Sequence, residues 1–122
     1  MDKIGYKVLC KISDYLYSFN MFSFDCKVIK YYENVWNERH KDDGPLAVFD
    51  NIKDTKKFIR NNYYCYHCKD GYLVLYKVKY VPSEERCLYY RNGDSKNDLP
   101  NGTDFANKVY LLNFLELKYE MF

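Results

Sequence analysis

A chain of 122 residues with 48% apolar and 20% aromatic side chains carries material for one hydrophobic core and too little for two, which excludes both a disordered and a multidomain chain. Nineteen basic residues against seventeen acidic ones leave a net charge of +2, with the signs interspersed, so a large electrostatic footprint for duplex DNA or an anionic membrane is excluded too. No window reaches the apolar length of a membrane span, and Asp2, Lys3, Gly5 and Lys7 break up any signal-peptide core, so a cytoplasmic protein with no membrane partner is expected.

Residues 6–12 alternate imperfectly, Tyr6, Val8 and Cys10 against Lys7, Leu9 and Lys11, and predict a half-buried first strand. Ser13-Asp14 turns the chain. Residues 15–24, dominated by aromatics and Met, suit a second strand or a packed loop, and residues 25–33, with Val28, Ile29, Tyr31 and Tyr32, predict a third strand. Residues 34–44 are polar apart from Val35 and Trp36 and read as a loop, with Trp36 folded back as a lid on the core.

The centre of the chain is its most legible part. Leu46, Ala47, Val48 and Phe49 form a short apolar run bounded by Gly44-Pro45 and Asp50-Asn51, the punctuation of a buried strand. Asp50 or Asn51 then supplies a side-chain oxygen to an orphan N–H of the next helix. Asp54 falls in its first turn and Lys56, Lys57 and Arg60 in its last, opposing the helix dipole. Ile52, Thr55, Phe58 and Ile59 share one stripe, which is expected to lie on the sheet, and Asn61-Asn62 ends the helix.

Residues 63–69 and 72–81 flank Asp70-Gly71, a strong hairpin signal. In the second arm Tyr76, Val78 and Tyr80 share a core face while Lys77 and Lys79 face water. Residues 87–90 predict a short edge strand and 93–98 a mobile loop. After Leu99-Pro100-Asn101-Gly102-Thr103 the expectation is a turn, a strand and a frayed helical tail. Together these elements predict an α+β fold: a small, mostly antiparallel sheet of five or six strands with one main helix packed on a face, a single domain over residues 1–122.

The order Tyr6-Lys7-Val8-Leu9, Val28-Ile29-Lys30-Tyr31-Tyr32, then Pro45-Leu46-Ala47-Val48-Phe49-Asp50 with Phe58, a strand like Val78-Lys79-Tyr80, and the closing Leu99-Pro100-Asn101-Gly102-Thr103 resembles a loose family of small uncharacterised proteins of phages and large DNA viruses. The chain departs from it at Thr55, where a small residue is usual, and at 61–71, which looks inserted. The shared motifs are structural punctuation, so the resemblance implies a fold and a mobile-element origin and brings no catalytic group with it.

The chemistry available to the chain is sparse. Cys65-Tyr66-His67-Cys68 has metal-ligand spacing but lacks a second ligand pair, and in a strand residues three apart face opposite ways, so no metal is expected. Five cysteines without a regular framework fit reduced thiols in cytosol. His40 and His67 are the only histidines, the carboxylate pairs Asp42-Asp43 and Glu84-Glu85 fall in predicted loops, and the isolated glycines form no phosphate-binding loop, so no catalytic residue and no cofactor is assigned. Tyr89-Tyr90-Arg91 and residues 76–80 set rings beside cations, as single-stranded nucleic-acid sites do.

The function expected from size and resemblance is non-enzymatic: a virus- or phage-type accessory protein in the host cytoplasm that binds a host protein or ribonucleoprotein, in its sharpest form an inhibitor of a host defence system such as a CRISPR effector. The alternative is a single-stranded nucleic-acid-binding protein or a small nucleotide- or nucleic-acid-modifying enzyme. For a binder the contact residues expected at the loop tips are Trp36, Arg39, His40, Arg91, Asp94 and Lys96, joined by Tyr89 and Tyr90.

Overall fold

A computed structural model of the chain describes residues 1–18, 29–40, 44–62, 71–89, 95–96 and 99–115. Along them run β1 (Lys3–Ile12), β2 (Tyr15–Ser18), β3 (Lys30–Tyr31), β4 (Trp36–Glu38), β5 (Leu46–Phe49), α1 (Ile52–Asn62), β6 (Gly71–Pro82), β7 (Leu88–Tyr89), β8 (Ser95–Lys96) and β9 (Thr103–Leu115). Seven of these strands form one sheet, in which every pairing is antiparallel, while β7 and β8 pair with each other alone.

The sheet curls on itself. Strand β6 is registered on β1 from Lys3↔Tyr80 to Ile12↔Gly71 and on β9 from Leu75↔Leu115 to Pro82↔Ala106. Strand β5 then joins the far sides of those two neighbours: Leu46 to Phe49 pair with Ala106 to Thr103 of β9, and Phe49 alone pairs with Tyr6 of β1. The pairings β1–β6–β9–β5–β1 close a barrel-like ring. Two register shifts between β6 and β9, at Lys77/Val78 and Val81/Pro82, supply bends of the kind that let a sheet close. Beyond the ring, β2 and β3 extend the sheet from β1, and β4 pairs with β9 at its edge.

Each face of the curled sheet carries its own apolar cluster. The inner one gathers Leu9, Leu46, Val48, Val74, Val78, Tyr80, Ala106 and Val109 among others, and the outer one Val8, Phe49, Leu73 and Leu75 with Phe58 and Ile59 of α1. The helix contacts β1 and β5, its Phe58 ring 5.1 Å from that of Phe49. Asn51 is its cap: Asn51 Oδ1 accepts the Asp54 amide N–H at 2.8 Å while Asn51 Nδ2 donates to Asp54 Oδ2 at 2.8 Å.

Several expectations need correction. The face of β1 bearing Lys7 and Leu9 is the barrel interior, so β1 is buried on both faces and Lys7 is only 8% exposed. Residues 36–38 are a strand, because the Asn37 amide saturates its surroundings: Oδ1 accepts from the Tyr32 amide N–H, and Nδ2 donates to the carbonyls of Tyr32 and of Val109 on β9. Trp36 therefore sits on the outer face of the sheet and is no lid.

Between Leu75 and Tyr80 both edges of β6 are occupied, by β1 and by β9, so this part of the expected second arm is a central strand. The proposed first arm, 63–69, with Cys65, His67 and Cys68, lies outside the described residues. Within 93–98, Ser95 and Lys96 form a strand where a loop was expected. Phe114 and Leu115 continue β9 where a helical tail was expected. Cys10 is disulfide-bonded and Cys87 is a free thiol; disulfides are rare in cytosol, so the Cys10 bond runs against the expected reduced thiols.

Candidate nucleic-acid interface

Antiparallel pairing places directly opposed residues on the same face. Trp36 of β4 opposes Tyr110 of β9, Tyr110 opposes Lys79 of β6, and Lys79 opposes Ile4 of β1. One row of side chains therefore crosses four strands on the outer face. Helix α1 covers the part of that face built from Val8, Leu73 and Leu75, whereas Ile4 stays 49% exposed.

Within the row the Trp36 and Tyr110 rings meet edge to face, centroids 5.6 Å apart. Lys79 Nζ lies 5.4 Å from the Trp36 centroid and 5.7 Å from that of Tyr110, and Lys108 Nζ lies 4.8 Å from Trp36. Trp36, Tyr110, Lys79 and Lys108 are all half-buried, as amphipathic side chains are when they lay their stems on apolar surface and keep their polar ends in water. Lys77 flanks the row from β6, and Glu38, opposite Lys108, is the acid nearest in register. The local balance is thus positive although the chain as a whole is nearly neutral. A second patch of the same composition stands on β2 and β3, where Lys30 Nζ is 3.7 Å from the ring centroid of Tyr15 and 5.4 Å from that of Tyr32, both rings about half exposed.

The barrel interior holds polar groups of a different kind. Tyr80 donates to Asp104 Oδ2 at 2.6 Å, the Phe105 amide N–H donates to Asp104 Oδ1 at 2.9 Å, and Arg86 pairs with the same carboxylate. Burial alone would raise the Asp104 pKa, but these donors and the Arg86 charge hold it below the ordinary carboxylate value. Burial, reinforced by the bond to Asp104, pushes the Tyr80 hydroxyl well above its ordinary range. The Lys7 ammonium donates to the Ala47 carbonyl and lies 5.3 Å from the Tyr31 ring centroid; burial lowers its pKa to about 8. The Tyr31 hydroxyl is buried without a hydrogen-bond partner, and burial raises its pKa. Tyr80, Asp104, Lys7 and Tyr31 are buried and cross-link the fold, while the Arg86 side chain, 55% exposed, closes on Asp104 from the solvent side.

Of the residues expected to make contacts, Trp36 falls in the open row. Arg39 follows it at the end of β4, where its guanidinium pairs with Glu85 at 3.1 Å and reaches Asn107 Oδ1 at 3.4 Å, so it ties the sheet edge to the segment after β6. His40 is exposed beside it. The backbones of Tyr89 and Lys96 lie in the separate β7–β8 ribbon, and Tyr90, Arg91 and Asp94 lie outside the described residues. Lys79 was expected on a water-facing side and is there; Tyr110 and Lys108 were missed, because only the register with β4 reveals what they face. Among the described residues no group of three or more His, Cys, Asp or Glu side chains is placed to hold a metal ion, and no helix is long and apolar enough to cross a membrane. No protein-family model, curated protein or solved structure matches the chain, and nothing in these comparisons bears on the resemblance to small phage and viral proteins.

Proposed function

We propose that the protein is a non-enzymatic binding domain that holds single-stranded nucleic acid on the outer sheet face. The observation that carries this reading is the row Trp36–Tyr110–Lys79 with Lys108 beside it. Rings on a strand face accept unstacked bases without regard to sequence, and neighbouring cations take the phosphates. In the free protein the flexible lysine amines rest over the rings; with a strand bound they swing outward to the backbone and the bases take their place. A row only four strands wide, with three lysines, accommodates a few nucleotides and makes a weak, salt-sensitive site.

Trp36 is the chain's only tryptophan, so its fluorescence reports stacking directly. Titration with oligo(dT) is expected to quench it, with duplex DNA of equal length much weaker. Trp36→Ala is expected to weaken binding of end-labelled oligonucleotide by roughly 5- to 150-fold, the equivalent of about 1–3 kcal/mol for a lost stacking platform. Unquenched fluorescence and flat anisotropy up to millimolar strand would sink the reading.

A second reading keeps the accessory-protein role implied by the resemblance and docks a host protein on the same face. Exposed Ile4 favours it, since it ends the same row with apolar surface. Affinity capture from host lysate with and without nuclease separates the two: a stoichiometric protein surviving nuclease selects the second, and its loss with nuclease selects the first.

A further inference from the structure

The closed ring has a mouth at the end where β9 finishes. There Lys11 of β1, Tyr76 and Val74 of β6, and Leu111 and Phe114 of β9 surround a cavity of about 290 Å³, with Glu33 and Asn34 of the β3–β4 turn at its lip. Three features set this cavity apart from a packing gap. Its lining includes an aromatic pair: Tyr76 and Phe114 meet edge to face at 5.7 Å, and Phe114 remains 57% exposed. Its carboxylate is fixed, because the Tyr76 hydroxyl donates to Glu33 Oε1 at 2.9 Å. Its cation is Lys11, a half-buried residue of the lining. At the lip Asn34 sits in the left-handed region at φ 64°.

We infer that this mouth binds a guanine-type base by its Watson–Crick edge. A planar ring lies against Phe114. Glu33, an acceptor with spare lone pairs beyond the one that Tyr76 uses, takes the adjacent N1–H and N2–H donors, and the Lys11 ammonium donates to O6. Adenine presents an unprotonated N1 acceptor to the same carboxylate and is repelled; cytosine has one donor group and a smaller ring. The volume is near the lower limit for small-ligand sites, which suits one base and leaves ribose and phosphate outside. The site is separate from the outer face, and its existence does not depend on that face binding a strand.

The base has two possible sources, a free guanine nucleotide or a guanine within a single strand. Titration of the ¹⁵N-labelled protein with guanosine, inosine, adenosine and cytidine monophosphates, and with a short oligonucleotide bearing one central guanine in thymine, separates them. Guanosine monophosphate is expected to shift the amides of Glu33, Tyr76 and Phe114. Inosine monophosphate, lacking the N2 amine, is expected to bind at least tenfold more weakly because one acceptor site stays unpaired, and the adenosine and cytidine nucleotides more weakly still. Glu33→Gln, an exposed substitution that leaves the core untouched, is expected to abolish the preference for guanine while oligo(dT) still quenches Trp36. Tyr76→Phe, which frees Glu33 without removing it, is expected to weaken guanosine monophosphate several-fold. Tighter binding of the oligonucleotide than of the nucleotide assigns the site to the strand, and the reverse assigns it to the free ligand. Equal response to all four nucleotides, no response at millimolar concentration, or full guanine preference in Glu33→Gln overturns the inference; loss of Trp36 quenching alone overturns only the reading of the outer face.

Discussion

Gly5 is where the ring closes. A Cβ at this position would stand 2.5 Å from the Phe49 carbonyl oxygen and 2.8 Å from the Tyr80 ring. The obstacle on one side is therefore backbone, which cannot rotate away, and on the other a tyrosine whose hydroxyl is committed to Asp104. Strand β5 meets β1 only through Tyr6↔Phe49, one residue along, so a methyl group at Gly5 pushes directly on the single pair that joins them. Gly5→Ala is expected to lower stability by about 1–3 kcal/mol, the usual range for overpacking, read as a fall in the urea midpoint at constant slope. A change below about 0.5 kcal/mol would mean that β1 and β5 stand further apart than described.

At the scale of elements, the strand-to-helix junction was the most legible part of the chain because every signal in it is local. The run Leu46 to Phe49 is apolar and punctuated, and the cap, the charge order and the stripe of α1 all lie within a dozen residues. Asn51→Ala removes both bonds to Asp54 and is expected to cost about 0.5–2 kcal/mol. Phe58→Ala opens the contact with Phe49 and is expected to cost about 3–5 kcal/mol, the larger effect of the two; thermal melts of both variants check the order. What the sequence hid is non-local. Lys7 reads as a solvent residue by alternation and is interior because β5 closes over it. Residues 36–38 read as loop because the Asn37 amide, 72 positions from its partner carbonyl on Val109, leaves no trace in the sequence around it. The candidate face was half legible for the same reason: the alternation of Lys77 and Lys79 could be read in β6, but not that Trp36, Tyr110 and Lys108 would stand beside them. The closing segment is the reverse case. Gly102, at φ 83°, turns the chain into β9 against Asp54, and its carbonyl accepts the Asp50 amide N–H at 2.9 Å. The two punctuated segments that carried the resemblance thus meet in space, which explains why both read as structure and neither as chemistry.

The whole molecule carries its polar interior as a dependence on pH. Unfolded, the Lys7 amine has its ordinary pKa of 10.5; folded, burial lowers it to about 8. Below about pH 8 both states hold the proton, and the fold bears a constant penalty for enclosing the charge. Between about 8 and 10.5 the unfolded chain binds the proton more tightly, so stability rises with pH, by an amount of order 3 kcal/mol at about 1.4 kcal/mol per unit. Tyr31 and Tyr80 act in the opposite sense: burial raises both above the ordinary 10.0, so above about pH 10 the unfolded chain loses protons that the fold retains, and stability falls. The two slopes place the maximum between about pH 9 and 10, above the range in which most proteins are most stable. Lys7→Met fills the same space without a charge. It is expected to be more stable than the parent at pH 7, to show no rise between 8 and 10, and to keep the fall above 10. Urea denaturation at unit steps from pH 7 to 11 reads all three. A parent flat from 7 to 10, or a variant that still rises, would place the Lys7 amine in contact with water and reopen the interior as a site that solvent and ligands can reach.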